Sequence, residues 1–324
     1  MSATRRPWTG AAALVLALAG APALATTQAP LAFVTNQGDD SVTVIDLSSQ
    51  KTVATLAVGK SPAGVAAAMS AGDFAFISNP DGNELTVVDP RGPRAVRSIA
   101  TGASPLGIAA DPVRARLYVA NWFDRRVEIV DRDALKVIGH YAVGNTPAGV
   151  AVSRDGARLA VANRDDDTVQ LIELAGDGKD SVIAVGRRPF GITLSPDGRW
   201  LFSANVRSDD VSIVDVAARR EAARVKVGDA PYASIYDAGR GRLFVTNQQE
   251  GTVSVVDVAT AREVTRIAVG DYPEGIDYSA RLDRVYVASW FDNALYVIDP
   301  AALTVETQIP CGDGSRAFGE FIRE

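Results

Sequence analysis

The chain of 324 residues is 47% hydrophobic and 22% charged, with a net charge of −6, one cysteine and one histidine. That apolar supply serves one large domain or two average ones and excludes a disordered polyampholyte. A single thiol leaves no internal disulfide or zinc site built on several thiolates, and the single imidazole, His140, nearly eliminates Ser-His-Asp chemistry, His-rich metal centres and bis-His haem ligation, while the acidic balance argues against a general phosphate-binding surface.

Residues 1–25 read as a leader peptide. Arg5 and Arg6 give a basic start, Ala11 to Ala19 a short apolar run, and Ala23-Leu24-Ala25 an A-x-A cleavage site, in the order a secretory signal requires. The run falls short of the roughly 20 residues that span a bilayer. Thr4-Arg5-Arg6-Pro7-Trp8 also fits a twin-arginine signal, so two export routes stand open. Loss of the leader's two arginines takes the net charge from −6 to −8. No later run is apolar enough for a membrane helix. Residues 26–324 are therefore expected to be a soluble, periplasmic or secreted monomer.

The rest of the chain repeats. Three strands are predicted within residues 31–57, and then Gly59 opens a series continued by Gly102, Gly144, Gly186, Gly228, Gly270 and Gly312, spaced by 43 residues once and by 42 thereafter. Each is followed three residues later by proline (Pro62, Pro105, Pro147, Pro189, Pro231, Pro273) or, last, by Ser315. Asn36, Asn79, Asn121, Asn163, Asn205, Asn247 and Ser289 keep the same period, as do the acids ten residues further on: Asp46, Asp89, Asp131, Glu173, Asp215, Asp257 and Asp299. A period near 42 means propeller blades or a helical solenoid. Runs such as Leu117-Tyr118-Val119-Ala120 and Val211-Ser212-Ile213-Val214, separated by turns such as Ser195-Pro196-Asp197-Gly198, decide for strands. Four strands per unit and seven units predict an all-β, seven-bladed propeller. One strand, Ala317 to Ile322, follows Gly312 and is expected to complete the first blade beside the three N-terminal strands, closing the ring.

Phe33-Val34-Thr35-Asn36, Tyr118-Val119-Ala120-Asn121 and Phe244-Val245-Thr246-Asn247, with downstream runs such as Val253-Ser254-Val255-Val256-Asp257, resemble the YVTN family of β-propeller repeats over essentially the whole mature chain. The resemblance implies an exported propeller. Relatives of this kind include surface-layer components and propellers similar to the heavy subunit of quinoprotein amine dehydrogenases. Haem d1 proteins and lactonases are more distant. Fold does not fix function.

Residues present in every blade are read as structural; the Asn and acid side chains are expected to satisfy turn backbone, and the glycines to permit tight turns. Differences between copies point to sites. The residue after each Gly-x-x-Pro should ring the mouth of the central channel: Ala63, Leu106, Ala148, then Phe190, Tyr232, Glu274 and Arg316. The last four form an arc with an apolar wall and a neighbouring acid and base, either a small-molecule site or an ion pair plugging the channel. On the same face, Trp122-Phe123-Asp124 and Trp290-Phe291-Asp292 recur in blades about 154° apart, a partner-binding pair or local packing. Arg187, Arg188 and Arg207, with Arg164 close by, make one sector basic, while Asp229, Asp271 and Asp313 make the next acidic, which suits electrostatic docking. His140 is placed on an outer strand, and Cys311 as a small buried thiol.

These features favour a non-catalytic binding platform of the cell envelope for an exported protein or a small molecule, accessory to a redox enzyme by resemblance alone, with no cofactor or metal of its own. The alternative is an enzyme or enzyme subunit, lactonase-like or quinoprotein-like, with Glu274 as base and Arg316 as oxyanion stabiliser at the channel mouth. Nucleic acid is the least favoured ligand, given the charge of the mature chain.

Overall fold

A computed structural model describes residues 1–2, 29–67, 74–174, 176 and 179–324; the leader expected over residues 1–25 lies outside them apart from Met1 and Ser2. The chain forms seven antiparallel four-stranded blades around a central channel, as the repeat predicts. Blade 3 shows the pattern: an inner strand Pro105–Ala110, then Arg116–Asn121, Arg126–Asp131 and an outer strand Lys136–Ala142. No helix among the described residues is long and apolar enough to cross a membrane.

The two middle strands of a blade lie between neighbouring blades and are buried on both sides, so they read as near-continuous apolar runs; Leu31–Asn36 is buried throughout. Outer strands such as Arg262–Ala268 alternate exposed and partly buried residues, and most begin with Lys or Arg, which discourages pairing between exposed edges. His140 sits on one of these.

The Gly, Asn and acid series interlock. Asn36 donates to Ser41 and Thr43 Oγ (2.9 Å each) and accepts the Gly312 N–H (3.0 Å); Asn163 accepts the Gly144 N–H (3.0 Å). A Cβ on Gly144 would lie 2.6 Å from the Asn163 side chain, so glycine is required there by close approach. The expectation that these glycines serve tight turns is corrected in detail: the left-handed residue is the one before each proline, Ser61, Ser104, Thr146, Arg188, Ala230 or Tyr272. The acids cap the opposite turns; Asp46 Oδ1 accepts N–H groups of Ser48 and Ser49 (2.9 and 3.0 Å).

Closure is made by the C-terminal segment, with one departure from the simple strand expected. Ile322 and Arg323 pair with Ala32 and Leu31, completing blade 1, and Asn36 pairs with Ser315. Other blades bridge the equivalent interval with six inner-strand residues, Pro105 to Ala110 against Asn121 to Leu117; here eight are used, Ser315 to Ile322. The surplus loops inward, and Phe318–Glu320 pairs in parallel with Gly64–Ala66 of blade 2. Gly319, at φ 107°, makes this turn possible.

Candidate functional site

One face of the ring carries the turns after the Asn series and the Gly-x-x-Pro connections; the opposite face carries the loops that follow the inner strands. On the first face the structure brings the whole predicted arc together, burying Phe190, Tyr232 and Glu274 and leaving Arg316 partly exposed. Phe190, Tyr232 and Glu274 are 6%, 5% and 2% exposed, and the two rings pack with Ala63, Leu106 and Ala148. Phe318, delivered by the looped C-terminal segment, stacks at 5.2 Å from Phe190 and 5.7 Å from Tyr232, and the latter two rings lie 4.2 Å apart. These side chains fill the channel beneath this face.

Glu274 and Arg316 form an ion pair at 2.6 Å. Glu274 also accepts from Gln248 (2.5 Å), and Arg316 contacts the Tyr232 hydroxyl and donates to Gln37 (3.2 Å). Burial pushes the Glu274 carboxyl above its ordinary range against the pull of Arg316. Burial also works against the Arg316 guanidinium charge, yet Glu274 and Tyr232 more than offset it and hold Arg316 protonated. With each group committed to the other, this geometry presents no free base to solvent.

The two Trp-Phe-Asp turns join the same cluster. Trp122 packs on Phe190 (5.8 Å) with the Arg164 guanidinium over its ring (5.2 Å), and Trp290 lies under Arg316 (5.3 Å). The aspartates are structural: Asp124 and Asp292 accept the N–H groups of Ala103 and Asp271 (2.8 and 2.9 Å). Asp166, Glu250 and Asp39 do the same in other blades, a series that sequence reading missed because Asp, Glu and Ser208 share the role. What remains distinctive is the phenylalanines. Phe123 is 72% exposed and Phe291 62%, the latter stacked on Tyr272 (5.1 Å). Around them Arg187 and Arg207 are exposed in one sector and Asp229, Asp271 and Asp313 in the next; Arg188 and Arg164 lie near Asp165. Cys311 is shielded, its thiol pushed up to about 12 by burial.

The open volume lies on the other side of the aromatic plug. A cavity of about 770 Å³ is walled by inner strands of blades 3 to 7 and by Phe318 to Glu324, and it holds Asp277 and Glu320. No reading of the sequence pointed here. Asp277 accepts N–H groups of Tyr278 (2.8 Å) and Ile322 (2.9 Å), but burial and then the Glu320 charge raise its pKa to about 8. The folded state thus favours the neutral acid. The contribution of Asp277 to stability is complete below about pH 4, where the unfolded chain is also protonated, and is lost as the pH rises towards about 8. Thermal melts should show the midpoint falling across that window in the wild type, with a flatter profile for Asp277→Asn; parallel profiles would contradict the assignment. Among the described residues no group of three or more His, Cys, Asp or Glu side chains is placed to hold a metal.

A family model described as a YNCE-like β-propeller matches residues 71–195. No curated protein matches the chain. Among solved structures, hydrazine synthase from Kuenenia stuttgartiensis aligns with a TM-score of 0.75 at 21% identity, covering 82% of this chain and 91% of that one. A functionally unknown protein from Desulfotomaculum acetoxidans gives 0.75 at 14%, covering 89% and 99%. Dihydro-heme d1 dehydrogenase NirN, in complex with DHE, gives 0.67 at 16%, covering 90% and 66%. At these identities the likeness carries the propeller fold.

Proposed function

We propose that the chain is a non-catalytic, exported binding platform that docks another envelope protein on the face bearing Phe123 and Phe291. The carrying observation is the exposure of these two aromatic rings in opposed blades, each beside a tryptophan fixed in a buried aromatic and ionic layer. Exposed aromatics on a rigid base are the usual anchors of a protein interface, because little side-chain entropy is lost when they are covered. The basic and acidic sectors of the same face would orient an oppositely patterned partner during approach. A redox enzyme is the proposed class of partner. Its support is the resemblance to amine dehydrogenase heavy subunits and the fold shared with hydrazine synthase and dihydro-heme d1 dehydrogenase.

The test is affinity capture from native envelope extract with the mature chain and a Phe123→Ser/Phe291→Ser double variant. Both residues are exposed, so the variant should melt as the wild type does. A stoichiometric partner held by the wild type and lost from the variant is the expected result. Equal capture by both forms, or capture of nothing specific, would overturn the assignment of this face.

A further inference from the structure

The channel cavity on the opposite face holds acids that are matched by cations at its loop ends and unmatched further in. At the loop ends of the inner strands its acids are neutralised by neighbours. Asp111 pairs with Arg114 (3.0 Å), and Asp237 with Arg240 (2.8 Å), which also holds Asp283 (2.7 Å). Deeper in, the pattern stops. Asp277, in the middle of the blade 7 inner strand, is served only by backbone N–H groups. Glu320 reaches the cavity from the inward loop of the C-terminal segment, and among the described residues its carboxylate has no hydrogen-bond or ion-pair partner. It is accessible through the cavity yet enclosed by protein, and this enclosure raises its pKa. The two acids, close enough for the Glu320 charge to act on Asp277, share a space walled in part by apolar side chains such as Ile108, Ile192, Leu194 and Ile235, with Arg132, Arg154 and Arg240 also in its lining.

We propose that this cavity binds an organic cation, an ammonium group carried on an apolar body, with the cationic head between Asp277 and Glu320. A volume of about 770 Å³ falls in the range of small-molecule sites. A bare metal ion fits less well: calcium takes six to eight oxygen ligands, and no cluster of three or more acidic, His or Cys side chains is placed for one among the described residues. An ammonium head needs only two or three acceptors, and its body replaces water along the isoleucine walls. The cation supplies the charge that neither Asp277 nor Glu320 finds in the protein, and in an enclosed site that attraction is weakly screened. The site lies across the Phe190–Tyr232–Phe318 layer from the docking face, so its occupancy is independent of the platform reading.

The experiment titrates the intact mature protein with benzylammonium, cyclohexylammonium and tetramethylammonium by calorimetry and ligand-observed NMR, beside the uncharged benzyl alcohol and cyclohexanol. At least one ammonium should bind saturably, and its alcohol counterpart about tenfold or more weaker. Glu320→Gln, which breaks no contact seen in the structure, should melt as the wild type does. It should also weaken the ammonium about tenfold while leaving the alcohol unchanged. No saturable ammonium binding, equal affinity for ammonium and alcohol, or full affinity in Glu320→Gln would each overturn the proposal. The comparison of charged and uncharged probes on the wild type needs no variant, so the proposal stays testable even if Glu320→Gln folds poorly.

Discussion

A chain ended after Ala317 should fail to hold the ring. It would lose Phe321, which is fully buried in the blade 1 core, Ile322, which pairs with Ala32, and Phe318, the centre of the aromatic plug. Truncating one buried Phe to Ala costs about 3–5 kcal/mol. Losing two such rings together with the strand that completes blade 1 approaches the roughly 5–15 kcal/mol that a whole domain has available. The expected outcome is an aggregated product, or one whose unfolding midpoint has collapsed. The single variants Phe321→Ala and Phe318→Ala should fold but melt well below the wild type. Val264→Thr, on an exposed outer strand, should stay within about 0.5 kcal/mol. If the truncated chain melted within a few degrees of the wild type, closure would not be what holds the propeller together.

The second large effect concerns Glu274 and Arg316. Replacing Glu274 with Ala leaves the Arg316 guanidinium enclosed without its counter-charge, and Arg316→Ala does the same to the carboxylate; each should cost about 3–5 kcal/mol. The double replacement Glu274→Leu/Arg316→Met removes both charges and keeps most of the volume, so it should recover most of that loss or all of it. Urea unfolding of the four proteins gives the coupling directly. A single variant costing under about 1 kcal/mol would show that the pair is hydrated from the face rather than enclosed. The pair thus acts as a structural layer that fixes Trp290 and Tyr232, beneath the face proposed for docking.

The placement of these groups sets the balance between the two readings that the sequence left open. The arc Phe190, Tyr232, Glu274 and Arg316 is contiguous as its register implies, because each member follows the same proline in consecutive blades. Whether such an arc encloses a pocket or fills the channel depends on what else enters the centre, and that is Phe318. The two surplus residues between Ser315 and Ile322 have no counterpart elsewhere in the repeat, and their inward loop both closes the mouth and leaves the volume behind it open.

The main repeat of this protein was legible from the amino-acid order: seven four-stranded blades, closure through the C-terminal segment, the Asn and acid turns, and the face that carries Trp122, Phe123, Trp290 and Phe291. These are local patterns repeated seven times, so even weak strand and turn preferences add up to an unambiguous signal. The tertiary structure alone decided which aromatics are buried and which exposed, that the left-handed residue precedes proline, and that Asp277 and Glu320 meet in one cavity. Each depends on contacts between blades or across the channel, as when Asp277 takes the Ile322 N–H from 45 residues away. Side chains brought together only when the ring closes leave no period in the sequence, and their charge balance is set by the space that closure encloses.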